Sequence, residues 1–178
     1  MPLSTNLCHA NTVAEHWRTY CEGAADAGRG EPDRDIWRVS RSLFVGESND
    51  EAWEFCMNGA FGASFRYLRT LLSNAKMLDL VKHDPSVPDE DVTLEYLFQN
   101  LCIIGDRKSC IEQLESLWEN TGGFGTLLFV KHAFDAATKW DRSLHTQRHS
   151  RTHIIQLGFT TVSHTSSVSY THLTLPTS

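Results

Sequence analysis

Apolar residues recur at intervals of three and four from Val13 through Trp17, Tyr20, Cys21 and Ala24, the stripe of an amphipathic helix packed on a core. Thr12 followed by Glu15 fits a capping box and Ala27-Gly28 supplies a stop, so the pattern predicts a first helix over 12–27. A charged, turn-rich connection follows over 28–35. The period then changes to two. Trp37, Val39, Arg41 and Leu43 alternate with Arg38, Ser40 and Ser42 before the run closes on Leu43-Phe44-Val45. Residues 36–45 are therefore expected to form a strand, polar where it begins and buried at its end.

Ser48 with Glu51 makes a second capping box. Ala52, Cys56, Ala60, Phe61, Phe65, Leu68, Leu71 and Leu72 keep helical spacing after it, which predicts one long helix to about Leu72. Gly59 and Gly62 inside that helix mark close packing against a neighbour. Pro85 and Pro88 make 79–91 a loop, read as a surface excursion in preference to a lid over a site. A short helix over 93–100 leads into Leu101-Cys102-Ile103-Ile104-Gly105, and Asp106 can cap a further helix to Asn120 with Ile111, Leu114, Leu117 and Trp118 inward. Gly122-Gly123 ends it. Phe124 to Val130 is the most apolar run of the chain, as expected of a strand in a parallel sheet covered by helices. Strand, helices, strand and helix in this order predict an α/β fold.

The length of 178 residues and 40% apolar content suit one globular domain. The chain is shorter than the roughly 250 residues usual for a (β/α)8 barrel. No signal-peptide pattern or membrane-length apolar run stands out, which makes the cytoplasm the expected location. A formal charge of -6 with scattered Lys and Arg argues against a nucleic-acid surface. The five cysteines form no Cys-x-x-Cys pair and read as free thiols in a reducing compartment.

Composition breaks near Ser143. From Leu144 to Ser178 there is no Asp or Glu, and Ser and Thr fill 14 of the 35 positions. Residues 144–178 therefore read as a disordered or non-native Ser/Thr/His-rich tail, and Ser167 to Thr177 resembles a translated adapter sequence. His145, His149 and His153 would share a helix face able to bind zinc or nickel, but no carboxylate or thiol lies near them, and no metal site is expected.

Two segments carry a family resemblance. Asp33-Arg34-Asp35-Ile36-Trp37-Arg38-Val39-Ser40-Arg41-Ser42-Leu43-Phe44-Val45-Gly46-Glu47-Ser48-Asn49-Asp50-Glu51-Ala52 resembles the penultimate strand and following helix start of luciferase-like flavin-dependent monooxygenases, limonene monooxygenase-type enzymes among them. Tyr96 to Val130, above all Ile103-Ile104-Gly105 and Gly122-Gly123-Phe124-Gly125-Thr126-Leu127-Leu128, resembles the final helix and strand of the same family. The similarity runs from about Leu3 to Ser143. Departures are Gly46 and Ser48, where the family tends to carry Ala and Thr, and Asp106-Arg107 in place of Ser-Pro or Thr-Pro.

The resemblance implies the last strands and helices of a (β/α)8 TIM barrel about twice this length, with the glycine-rich flavin-phosphate segment before Met1. It also implies reduced FMN, molecular oxygen, a small organic substrate, a flavin reductase as the source of reduced flavin, and a homo-oligomer at full length. On its own the chain is expected to be inactive and not to hold the flavin.

Chemistry in such a barrel gathers at the C-terminal strand ends. Glu47 and Ser48 after the first strand are the candidate cofactor contacts, although a helix cap is the simpler role for Ser48. After the last strand, Lys131 is the candidate partner of an anionic flavin or phosphate, and His132 the candidate catalytic group, able to shuttle a proton or bond a flavin carbonyl. A solvated lysine and a structurally bonded histidine are the commoner cases. The alternative reading is a non-catalytic α/β fragment or partner-binding subdomain whose open sheet edge another chain completes.

Overall fold

The computed structural model describes residues 1–130 and the strand Thr152–Gln156. The chain opens with a two-residue strand β1 (Leu3–Ser4) and helix α1 (Ala10–Asp26). α1 begins ahead of the expected Thr12, because His9 is its cap: the imidazole Nδ1 accepts from the Asn11 N–H at 3.2 Å. A short 3-10 turn, Arg34–Ile36, then occupies the expected start of the strand. The Asp33 carboxylate accepts from the Asp35 N–H at 2.9 Å, and strand β2 runs from Arg38 to Val45.

The single long helix predicted after Ser48 is two helices, α2 (Asn49–Asn58) and α3 (Ala60–Asn74). Gly59 has extended backbone and makes the corner. A Cβ on Gly62 would stand 2.5 Å from the carbonyl oxygens of Cys56 and Met57, so these glycines permit the corner itself rather than an approach to a separate element. The 79–91 loop holds parts of two 3-10 turns, Leu78–Val81 and Asp89–Asp91. Leu78, Val81 and Val92 bury its ends in the core, and Lys82 bridges Asp79 and Asp89 at 2.7 Å each. Both ends of the segment are thus fixed to the core, with its middle at the surface.

Helix α4 (Leu94–Leu101), capped by Thr93, leads into a strand that the periodicity did not separate, β3 (Cys102–Gly105). Helix α5 (Arg107–Thr121) follows, with Asp106 accepting from the Ser109 N–H at 2.8 Å, and Gly122 in left-handed backbone (φ 73°) closes it. Strand β4 is Thr126–Val130. Strand β5, Thr152–Gln156, falls where no regular structure was expected; the rest of 144–178 lies outside the described residues. His153 thus stands in a strand and not on a helix, while His145 and His149 are outside the described residues.

β2 is the centre of the sheet. Its first half pairs in parallel with β1 (Leu3 opposite Arg38) and with β4 (Arg38–Ser42 opposite Thr126–Val130). Its second half pairs in parallel with β3, Ser42 opposite Cys102 through Val45 opposite Gly105. β5 adds antiparallel to β4. The parallel α/β arrangement expected from the strand and helix order is present.

Two cores flank this sheet. Trp37, Val39, Ile103 and Leu127 pack under α1 and α5 with Val13, Trp17 and Leu117, and the Trp17 and Trp37 rings stack at 5.1 Å. The second core gathers α2, α3 and α4 around Phe61, Phe65, Leu97 and Phe98, and the Cys102 and Ile104 side of β3 closes it. The strand expected to be buried at its end is instead buried in its middle: Val39, Ser40, Arg41 and Ser42 are covered, while Leu43, Phe44 and Val45 are half-buried.

Candidate functional site at the strand ends

Because β1, β2, β3 and β4 are mutually parallel, their C-terminal ends point the same way. That edge is where α/β proteins present ligand-binding groups. After Val45 the chain is tied down at once. The Gly46 N–H donates to Gly105 O at 2.9 Å, and Asn49 Oδ1 accepts from the Asp106 N–H at 2.7 Å, so the loops following β2 and β3 are held as one surface. A side chain on Gly46 would meet Ala52 Cβ at 2.9 Å, which explains a glycine there.

Ser48 is exposed and its Oγ accepts from the Glu51 N–H at 3.2 Å: it is the cap of α2. Glu51 returns the contact one residue earlier than in the usual box, its carboxylate accepting from the Glu47 N–H at 3.0 Å. The Glu47 carboxylate is exposed. The structure thus places Glu47 and Ser48 side by side at the expected edge, with the Ser48 hydroxyl already engaged in capping. Lys131 and His132 lie outside the described residues.

A buried polar pair also lies within the strand, away from its end. On the face of β2 turned away from α1 and α5, Ser40 and Ser42 are buried beside Leu128 and Val130 of β4. Asn6, just after β1, donates through Nδ2 to Ser42 Oγ at 2.8 Å. Hydroxyls on one face of a parallel strand, with apolar residues on the other, were legible as period-two alternation, but they read as a polar strand entry.

Thiol chemistry is not available at neutral pH from the buried cysteines. Burial pushes Cys56 up to about 12 and Cys110 to about 11, and raises Cys102 well above the ordinary thiol range. All five cysteines are unpaired. Among the described residues no group of three or more His, Cys, Asp or Glu is placed to hold a metal, and no helix is long and apolar enough to cross a membrane.

Fold and edge together define the class: an α/β protein built on a parallel sheet, with hydrogen-bonding groups at its C-terminal edge. No family model matches the chain. It is 33% identical over 136 residues to 3,6-diketocamphane 1,6-monooxygenase of Pseudomonas putida, covering 75% of this chain and 36% of that protein. It is 30% identical, again over 136 residues, to limonene 1,2-monooxygenase of Rhodococcus erythropolis, covering 76% of this chain and 32% of the relative. Among solved structures, the oxygenating constituent of the Pseudomonas putida 3,6-diketocamphane monooxygenase, a type II Baeyer–Villiger monooxygenase in complex with FMN, superposes with a TM-score of 0.58 at 33% identity. That match covers 67% of this chain and 33% of the solved one. Over about three quarters of its length the chain is homologous to luciferase-like type II flavin monooxygenases, and it spans about a third of the length of those relatives.

FMN presents a ring edge and a phosphate dianion, and the two make different demands. A ring edge needs accessible hydrogen-bonding groups, and the Ser42 hydroxyl, held by Asn6, is fully buried. A phosphate needs N–H donors or cations. Here the N-termini of α2 and α5 are capped by their own Ser48 and Asp106, and the edge carries Glu47, Asp50, Glu51 and Asp106. The Ser109 N–H and hydroxyl hold Asp106 below the usual carboxylate range, so it remains an anion. With both helix N-termini capped and four carboxylates set against two exposed cations, Arg107 and Lys108, the described edge is a poor fit to a phosphate dianion.

Proposed function

We propose that this chain is the C-terminal part of a bacterial luciferase-like flavin monooxygenase, an enzyme that uses reduced FMN and molecular oxygen to oxidise a small organic substrate. The observation that carries the reading is the 33% identity to an FMN-bound type II Baeyer–Villiger monooxygenase, in both sequence and superposed structure. In this reading β1, β2 and β4 are neighbouring strands of a (β/α)8 barrel, α1 and α5 belong to its outer helical ring, and residues 1–143 are the barrel segment. Residues 144–178 are foreign to it. The row of Ser40, Ser42, Leu128 and Val130 then faces the barrel interior, with Asn6 holding Ser42 in place.

Glu47 supplies a carboxylate at the rim, and Ser48 orders the loop that carries it by capping α2. Lys131 as an anion partner and His132 as a proton shuttle at the end of β4 belong to the same proposal. Flavin bound there would supply the oxygen-activating chemistry; the residues of this chain orient the ring and shape the rim. A flavin reductase provides the reduced cofactor, the full-length protein is a homo-oligomer, and the location is the cytoplasm, in keeping with five free thiols.

The phosphate mismatch gives a direct consequence: the 178-residue chain does not hold FMN by itself and is inactive. Titration followed by flavin fluorescence is expected to show no saturable quenching with this chain. Saturable quenching is expected when the upstream segment of the Pseudomonas relative is fused before Met1. Tight stoichiometric binding by the chain alone, or none by the fusion when it is folded, would overturn the proposal.

A further inference from the structure

His9 closes the start of α1 with a ring nitrogen where helices commonly use a Ser, Thr, Asp or Asn oxygen. Its Nδ1 accepts from the Asn11 N–H at 3.2 Å, and its carbonyl accepts from the Val13 N–H at 3.0 Å. An accepting Nδ1 carries no hydrogen, so the capping His9 is neutral with its proton on Nε2. A proton added at Nδ1 would face the Asn11 N–H, and the cap would become a repulsion between two donors.

The His9 ring also reaches the 79–91 segment, where its centroid stands 5.8 Å from that of His83 at an interplanar angle of 50°. Tyr96 of α4 holds His83 in place: its Oη accepts from the His83 N–H at 2.8 Å and lies 2.7 Å from His83 Nδ1. A phenol oxygen can accept from a charged imidazole as well as donate to a neutral one, so this anchor survives protonation of His83. The two imidazoles thus join α1 to the 79–91 segment through a contact whose His9 side depends on being neutral.

The charges around His9 oppose a proton there. Arg41 of β2, brought to about 10 by burial, is a cation at neutral pH. The first turn of α1 contains no acidic residue, and the positive end of the helix dipole lies there. Burial keeps Cys8 a neutral thiol. Of the nearby carboxylates, Asp84 follows His83 and is engaged by the Ser86 N–H, while Glu112 of α5, which lines the same cleft as His9, lies 3.7 Å from Lys108. Burial, His83 and Arg41 all hold the proton affinity of His9 below the ordinary histidine range.

We propose that His9 and His83 form an acid-released latch: neutral His9 caps α1 and packs against His83, and once it takes up a proton the cap is lost and the start of α1 parts from the 79–91 segment. The folded chain binds fewer protons at His9 than the unfolded chain does, so the stabilisation is complete above the ordinary histidine value of 6.5 and is lost as the pH falls below it. Release frees the Thr5–His9 connection, which carries Asn6 onto Ser42 and the Thr5 carbonyl onto Arg41. Acid therefore loosens the passage from β1 to α1, and the latch is independent of the flavin reading.

The test is NMR of the 15N-labelled 178-residue chain, titrated from about pH 8 to about pH 5. The His9 ring is expected to titrate below 6.5. Backbone order parameters over 6–12 should fall with the same midpoint, from about 0.85 to below about 0.6. His9→Asn keeps a capping oxygen that does not titrate in this range, and its order parameters should stay high throughout. His83→Gln changes an exposed side chain and should fold normally, while moving the His9 midpoint upward as a facing charge is removed. Titration of His9 at or above 6.5, order parameters that do not change through it, or an equal fall in a folded His9→Asn variant overturns the latch. If His9→Asn does not fold, an unchanged His9 midpoint in His83→Gln overturns it.

Discussion

Replacing Phe98 by Ala is expected to lower the free energy of unfolding by about 3–5 kcal/mol, a large share of the roughly 5–15 kcal/mol that a domain possesses. Phe98 is 1% exposed, and its ring is met edge-on by Phe61 at 5.3 Å, Phe65 at 5.4 Å and Trp53 at 5.7 Å. Those rings come from α2, α3 and α4, so truncation removes the piece shared by all three helices. Their backbones are joined by the corner at Gly59 and by the buried Leu78, Val81 and Val92, and they cannot collapse freely into the gap. Urea unfolding followed by circular dichroism measures the change; a loss below about 1 kcal/mol would mean that the cluster does not carry this core.

Gly125→Ala has the second large effect, and its cause is collision instead of a void. A Cβ at Gly125 would stand 2.1 Å from Asp35 O and 2.5 Å from the Asp35 carbonyl carbon, both backbone atoms. The Gly125 N–H donates to Arg34 O and Trp37 O, each at 3.1 Å, so the start of β4 is pressed on the 3-10 turn that precedes β2. Arg34 reinforces the junction by donating to Thr121 O at 2.7 Å and Gly123 O at 3.0 Å. Relieving the overlap means separating β4 from β2, and we expect a loss of about 1–3 kcal/mol or more. Gly30→Ala, with nothing within 4 Å of its added carbon, serves as the matched control and should be close to neutral in the same melt.

The elements with strong periodicity were legible in the sequence. The α1 stripe, the alternation of β2 and the unbroken apolar run of β4 each have one physical reading, and the parallel α/β arrangement follows from their order. Boundaries and short elements were harder. The α1 cap moved to His9 because an imidazole nitrogen can accept as a hydroxyl does, and the Gly59 corner looked like packing because its period continues on both sides. β3 has four residues, too few to distinguish a strand from the tail of a helix.

At the candidate site, the edge itself and the Ser48 cap could be read from the chain. The Asn6 contact to Ser42 spans 36 residues and no local pattern carries it. Arg41 did leave a signal, a charge in the row of Trp37, Val39 and Leu43. Alternation shows which face such a residue takes and says nothing of the carbonyls of Thr5 and Ser40 that its guanidinium meets.

In a larger parallel cylinder β1 is an inner strand, and its outer edge has no strand partner among the described residues. Amide hydrogen exchange over residues 3–6 measures that edge. In the 178-residue chain the amides of β1 that point away from β2 are expected to exchange about as fast as those of an unpaired segment. After fusion of the upstream segment of the Pseudomonas relative they should become protected along with β2. Strong protection of all of them in the isolated chain, or no gain in a folded fusion, would contradict the barrel.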